Sequence, residues 1–429
     1  MTDRLATGYR RPRETGTRTR CKALCRFCSA ELSHVFADLG VSPVANAYLS
    51  PEALGQMEPF YPLRAFVCSE CLLVQLEDYE SPAGLFSDYA YFSSYSSSWL
   101  EHSQRLAELA VTRFGLGPGS RVVELASNDG YLLQHFHRIG ASILGVEPAA
   151  NVAEVAGQRG IPTLVDFFGR DTAAKLAETA RADLVVGLNV LAHVPDLNDF
   201  VAGIETLLGP EGVAILEFPH LQRLIEERQF DTIYHEHFSY FSFHTVRRIL
   251  AHHGLTVFDV EQISTHGGSL RVYARHEANV SRVIAPTVED LARREAQAGF
   301  LNLDRYLAFG SLVAEVKRDL LAFLIGLKRG GKTIVGYGAP AKGNTLLNYC
   351  GISTDFIAYT VDASPHKQGM YLPGSRIPIE APDAITHTRP DVVLILPWNL
   401  REEIAREHAY VREWGGRFAV PVPEATLLP

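Results

Sequence analysis

The sequence predicts an α/β protein built on two open, mostly parallel Rossmann-like sheets, with a small four-cysteine unit ahead of the first. Three observations carry that prediction. Short apolar runs alternate with helical patterns from 89 to about 275, and again from 332 to the end, as βαβ units do. Polar or Gly-bearing turns follow two of those runs, at Ser127-Asn128-Asp129-Gly130 and at Gly336-Tyr337-Gly338. Cys25-x-x-Cys28 and Cys68-x-x-Cys71 lie in a stretch of short strands and turns punctuated by Pro43, Pro51, Pro59 and Pro62.

The 429 residues suit two or three domains. With 47% apolar and 21% charged residues the composition is that of a globular enzyme. A net charge of −9 argues against general nucleic-acid binding. No apolar run approaches the roughly 20 residues of a membrane helix, and the N-terminus lacks the apolar core of a secretory signal. The cytoplasm is the expected compartment. Boundaries follow the pattern: a disordered tail over 1–20, rich in Arg4, Arg10, Arg11, Arg13, Arg18 and Arg20; a zinc-binding unit over 21–88; a cofactor-binding unit over 89–285; a helical connector over 286–327; and a Rossmann-like unit over 328–429. In the connector, Leu291, Leu301, Leu312, Val316 and Leu320 mark the expected buried stripe.

Within the cofactor unit a helix is expected over 95–114, ended by Gly115. Residues 121–126 form a buried strand, near-continuous in apolar residues as parallel strands are. A turn and a helix from Tyr131 follow, then strands over 142–146, 184–189 and 212–218. Ligands of such a sheet bind at the carboxyl ends of its strands.

The first turn, Glu124-Leu125-Ala126-Ser127-Asn128-Asp129-Gly130, offers backbone N–H groups to a ligand. It lacks the Gly-x-Gly-x-x-Gly that a pyrophosphate requires. Glu147, ending the next strand, can accept hydrogen bonds from two ribose hydroxyls. A polar loop without a phosphate cradle suits a nucleoside cofactor with an amino-acid tail, S-adenosylmethionine (SAM). Its candidate ligands are Glu124, Ala126, Ser127, Asn128, Asp129, Gly130, Leu132, Glu147, Pro148, Asn151 and Asn189. The alternative is a Rossmann-like unit with another ligand.

Two Cys-x-x-Cys knuckles, Cys25/Cys28 and Cys68/Cys71, can close a tetrahedron around Zn²⁺. Four thiolates leave no open position, so the metal is read as structural. Cys21 fits the spacing less well. A zinc ribbon is also compatible with a protein- or nucleic-acid-binding module.

Tyr234-His235-Glu236-His237 is the richest chemical string. On an extended segment alternate residues share a face, which would pair His235 with His237. A histidine near neutral pKa serves as general base, and Glu236 can orient an imidazole or hold a sugar hydroxyl. A metal site at the two histidines and a purely structural cluster are the competing readings. Tyr240, Phe241 and Phe243 read as core. Further on, His266-Gly267-Gly268-Ser269-Leu270-Arg271 permits close backbone approach, with Arg271 facing an anion, or is a plain turn into a strand. In the last unit Lys342 and Lys367 are candidates for holding phosphate or are solvated surface charge.

In this order, the cysteine unit, Ala-Ser-Asn-Asp-Gly, His-Val-Pro-Asp, Tyr-His-Glu-His, His-Gly-Gly-Ser-Leu-Arg and Gly-Tyr-Gly-Ala-x-x-Lys-Gly resemble the sugar-nucleotide C-methyltransferases, which methylate C-3 of a 4-keto deoxysugar on dTDP. The resemblance spans Cys25 to the C-terminus. It implies a class I SAM methyltransferase fold between the zinc unit and a substrate-binding Rossmann-like unit, so that the last sheet is no sign of NAD. It implies His237 as the base that removes the proton beside the ketone. Tyr234, Glu236, His193 and Tyr91 are implied as the other active-site groups, and His235, His266, Gly267, Arg271, Lys342, Asn344 and Lys367 as substrate contacts. The implied partner is a small-molecule nucleotide sugar, with no nucleic acid and no membrane, and a monomer suffices. O-methylation, C-methylation of a non-sugar ketone, an NAD-dependent oxidoreductase and a zinc-ribbon interaction protein are the competing functions.

Overall fold

The computed structural model describes residues 23–79 and 93–429. The expected tail, Cys21 and Tyr91 lie outside the described residues.

Strands β1 (His34–Ser42), β2 (Tyr61–Val67) and β3 (Val74–Leu76) pair antiparallel. Alternate residues of β2, namely Leu63, Ala65 and Val67, are buried, so one face of this small sheet is core. The second sheet begins with β4 (Arg121–Leu125), β5 (Ser142–Val146), β6 (Thr163–Leu164), β7 (Ala182–Leu188) and β8 (Leu208–Pro219), all parallel. The short strand β9 (Ser239–Tyr240) then pairs with β3 and completes the first sheet as β1-β2-β3-β9. The hairpin of β10 (Leu255–Ile263) and β11 (Ser269–His276) adds to β8, giving β10-β11-β8-β7-β4-β5-β6. This is the α/β architecture expected of a class I methyltransferase. The strand order reverses between β4 and β7, and a crevice opens at their carboxyl ends.

The third sheet contains β12 (Ile334–Tyr337), β13 (Thr360–Val361), β14 (Ile379–Glu380), β15 (Val392–Ile395), β16 (Arg417–Val420) and β17 (Thr426–Leu427), in the order β14-β13-β12-β15-β16-β17. Only β17 runs antiparallel. The helix Ala341–Cys350 leaves the carboxyl end of β12.

Between the second and third sheets lie the helices Pro286–Gln297, Leu303–Leu307 and Phe309–Arg329. Leu291, Val316 and Leu320 are buried, but Leu301 is 52% exposed. It lies in the break after Gly299, whose φ of +87° ends helical geometry. Val313 and Leu324 are buried instead. Phe309 stacks on Phe36 of β1 at 4.6 Å, and one continuous core joins the first sheet, this helix and the third sheet. Among the described residues no helix is long and apolar enough to cross a membrane.

Candidate active site

After β4 the chain turns through Ala126 (φ 53°), Asn128 (φ 48°) and Gly130 (φ 79°). A Cβ at Gly130 would stand 2.7 Å from Ile161 Cγ1, so both space and conformation require glycine there. Glu147 follows β5 and fastens the loop. Its Oε2 accepts from Asn128 N at 3.0 Å and its Oε1 from Ala149 N at 2.9 Å. Burial raises its carboxyl above the usual range, and those two N–H groups oppose the shift. Across the crevice Asn189 leaves β7 at φ 54°. Its Nδ2 lies 2.7 Å from His266 Nε2, and its Oδ1 is a buried acceptor without a protein partner.

These residues open onto a cavity of about 750 Å³, within the range of small-molecule sites. Asn128, Glu147, Pro148 and Asn189 form one side, with Asp166, Phe167 and Phe168 beside them. Tyr234, His237, His193, His266, Lys342 and Lys367 line the same cavity. A buried carboxylate, an orphaned amide oxygen and two aromatic faces fit the ribose, amine and base of SAM. Left-handed backbone occurs at Ala126, Asn128, Asn189 and His266 (φ 55°), all of which line the cavity; such strain concentrates at functional sites.

The Tyr234–His237 string is a tight turn, closed by His237 N donating to Tyr234 O at 2.9 Å. This corrects the extended reading that paired the two histidines. His235 points away, with Nε2 donating to Pro62 O at 3.2 Å and its ring against Tyr61. His237 faces the cavity. Its Nδ1 lies 2.9 Å from Thr232 O, and a carbonyl only accepts, so Nδ1 carries the proton. Nε2 is then the lone-pair nitrogen, and it accepts from the Tyr234 hydroxyl at 2.7 Å. The His193 ring lies 4.7 Å away. Burial, reinforced by repulsion from His193, holds the His237 imidazole well below its ordinary range. Burial lowers His193 to about 4. Both rings are neutral bases at pH 7. Glu236 stands behind this wall, accepts from Asn46 Nδ2 at 3.1 Å, and is pushed up to about 7 by burial.

Lys342 lies 4.4 Å from the Trp398 ring and donates to Asn399 Oδ1. Burial lowers it to about 8, opposed by the nearby Asp231 carboxylate. Asp231 is buried, accepts from Trp398 Nε1 at 2.6 Å, and is raised to about 6 by burial. The exposed surface of His266 is cavity wall, and burial in that wall followed by the Lys342 charge lowers it to about 4. Lys367 donates to Ala339 O at 3.0 Å and lies 3.7 Å from Asp362.

Other candidates lie off the cavity. Glu124 is fully buried within β4, and burial pushes its carboxyl far above the usual range. Asp129 ties the loop to Ser94 and to Arg159 at 3.0 Å. Ser127 sits against Gly145, where a Cβ would clash with its Oγ at 2.3 Å. Leu132 is core, and Asn151 lies on the helix Ala150–Gln158, outside the wall. The anion role read for Arg271 is corrected: its guanidinium is locked between Glu217 at 2.6 Å and Glu261 at 2.9 Å, facing the hairpin. Asn344 is buried against Ala45 O at 2.6 Å. Gly267 packs under Trp398, where a Cβ would stand 2.6 Å from the ring, and its carbonyl accepts from Gln229. Residues not singled out in the sequence, Asn46, Trp99, Asp166, Phe167 and Phe168, line the cavity. Only Asp166-Phe167-Phe168, just beyond the short strand at Thr163, carried a usable signal: an acid and two aromatics at a strand end.

The four cysteines converge. Their sulfurs all lie within 4.8 Å of one another, with Cys25–Cys71 and Cys28–Cys68 at 3.5 Å. A zinc tetrathiolate, with Zn–S near 2.3 Å, has sulfurs about 3.8 Å apart, so the set fits that ion. Gln75 Nε2 reaches Cys25 Sγ at 3.2 Å, an outer-shell donor of the kind that steadies a thiolate.

Residues 25–86 match a family model described as "Putative zinc binding domain", residues 99–260 one described as "Methyltransferase domain", and residues 264–423 one described as "C-methyltransferase C-terminal domain". The C-methyltransferase NovU of Streptomyces niveus is 37% identical over 405 residues, covering 94% of this chain and 96% of its own length. A ubiquinone biosynthesis O-methyltransferase of Rhodopseudomonas palustris (strain BisA53) is 24% identical over 152 residues, covering 30% of this chain and 60% of its own. A solved structure of magnesium protoporphyrin IX methyltransferase from Synechocystis PCC 6803 with bound SAM aligns with a TM-score of 0.32 and 18% identity, covering 41% of this chain and 80% of that one.

Proposed function

The chain belongs to the family of SAM-dependent C-methyltransferases, and from that premise we propose that it methylates C-3 of a dTDP-linked 4-keto deoxysugar. One observation carries the reading. A single cavity is lined by Glu147 and Asn189, by His237 with its lone-pair nitrogen, and by Lys342 and Lys367. A carboxylate wall suits a cationic nucleoside cofactor, and a lysine wall suits an anionic nucleotide sugar. The neutral base between them suits removal of a carbon-bound proton.

Glu147 and Asn189 would hold the cofactor's ribose and amine. When bound, SAM supplies an electrophilic methyl on a sulfonium. Thr232 O fixes the tautomer of His237, and Nε2 takes the proton from the carbon beside the ketone. Tyr234 donates to that nitrogen at rest and keeps it aimed at the cavity. Asn46 and Glu236 back the turn. Four cysteines would hold Zn²⁺ as a structural ion that fixes β3, on which β9 and hence the turn are hung.

The test is incubation with SAM and a panel of dTDP-linked sugars, with and without a 4-keto group. Mass spectrometry is expected to show one added methyl on keto sugars only. Methylation of the non-keto sugars, or of none, overturns the proposal.

A further inference from the structure

Carbon-proton removal beside a ketone leaves negative charge on the ketone oxygen, and that charge needs a partner in a site that excludes water. The cavity histidines nearest the reacting carbon do not supply it. Burial holds His193 and His237 neutral. Among the described residues, the cations on the cavity wall are Lys342 and Lys367, and they differ in setting. Lys367 is tied to Ala339 O, Asp362 and the Tyr48 ring. Lys342 lies 4.4 Å from the Trp398 ring, which packs on Gly267, the neighbour of His266. Its ammonium is steered by the Trp398 face, Asn399 and the Asp231 carboxylate, and Trp398 is itself pinned by Asp231 and packed on Gly267. A cation held on several sides is preorganised, which is what makes such a group effective in the transition state. A loose phosphate anchor needs no such support.

We infer that Lys342 is a catalytic residue, whose ammonium pairs with the enolate oxygen of the substrate. This rests on the keto-sugar reading above. The C–H bond breaks with its proton going to His237 Nε2 and its electron pair to the ketone oxygen, beside Lys342. The pair returns to carbon as the new C–C bond forms to the sulfonium methyl, whose sulfur leaves with the bonding electrons. Lys342 neither gains nor loses a proton.

The experiment compares wild type, Lys342→Gln and Lys342→Arg, with SAM binding and thermal melting confirming the fold. Two quantities are read: kcat and KM for methyl transfer to the dTDP-4-keto sugar, and exchange of its α-proton with heavy water without SAM. Gln keeps a hydrogen bond to Asn399 and removes the charge. Its kcat and exchange rate are expected to fall together by about 10²-fold or more, with KM within about threefold. Arg is expected to recover part of both. A raised KM with unchanged kcat assigns Lys342 to phosphate binding and overturns the inference, as does undiminished exchange in Lys342→Gln. If Lys342→Gln does not fold, Lys342→Met takes its place as the uncharged variant: loss of exchange in it at unchanged KM supports the inference, and a raised KM with normal exchange overturns it. Wild-type inactivity on every nucleotide keto sugar instead defeats the keto-sugar reading, and this inference with it.

Discussion

Replacing His237 by Asn removes the base while sparing the turn that carries it. The Asn side-chain amide can still donate toward Thr232 O, which now accepts from Nδ1 at 2.9 Å. The lone pair at Nε2 is lost, and the Tyr234 hydroxyl that donates to it at 2.7 Å loses this partner. Losing this one hydrogen bond costs about 0.5–1.5 kcal/mol of stability, which the fold is expected to tolerate. Loss of a positioned general base costs about 10²–10⁴ in rate, or about 3–5 kcal/mol of barrier. Glu147, Asn128 and Asn189 are untouched, so SAM binding is expected unchanged. The assay is single-turnover methyl transfer at saturating SAM and substrate, beside a SAM titration. A rate within about fivefold of wild type would refute the assignment, because orientation alone does not replace a base of this kind. Loss of SAM binding would show that the turn, and not the base, had been disturbed.

Glu147→Ala strands the amides of Asn128 and Ala149 and removes the ribose acceptor. SAM affinity is expected to fall by about 10²-fold by calorimetry, and unchanged affinity would move the cofactor elsewhere. Asp231 is raised to about 6 from 3.8, so it binds its proton more tightly folded than unfolded. Its contribution to stability is full below about 3.8 and is lost as pH rises through 6. Asp231→Asn, which keeps an acceptor for Trp398, is therefore expected to gain up to about 3 kcal/mol over wild type between pH 4 and pH 8, read from denaturant melts at both; a constant difference contradicts this. Metal analysis of the whole chain is expected to find one zinc, and Cys28→Ser to lose most of it with a lower melting temperature. Full zinc retention in that variant would contradict the four-thiolate centre.

The second sheet was legible because parallel, buried strands are written as apolar runs. The run 142–146 is β5 as predicted, β7 starts two residues earlier and ends one residue earlier than expected, and β8 gains residues at both ends. The cysteines were legible because the ligand type and the two-residue spacing together restrict geometry. The connector was less so: a 3.6-residue period marked Leu291, Val316 and Leu320, but a break at Gly299 shifts the phase and turns Leu301 outward. The candidate site was half legible. Residues on the β4 loop and after β5 and β7 follow from the fold, whereas Asn46 and Trp99 reach the cavity from distant segments through tertiary packing. Period-two reasoning failed at His235, because Tyr234 to His237 is a turn and a turn does not alternate faces. Arg271 misled because a sequence cannot show that Glu217 and Glu261, on neighbouring strands, already neutralise it.

Carbon methylation of a nucleotide-linked keto sugar is the central claim, and the position of the transferred methyl tests it most directly. SAM carrying an isotopically labelled methyl is incubated with the chain and a dTDP-linked 4-keto deoxysugar, and the product is read by NMR. The label is expected on the ring carbon beside the ketone, bonded to carbon and coupled to the ring. A labelled methyl on oxygen, or a sugar left unlabelled while SAM is consumed, contradicts it.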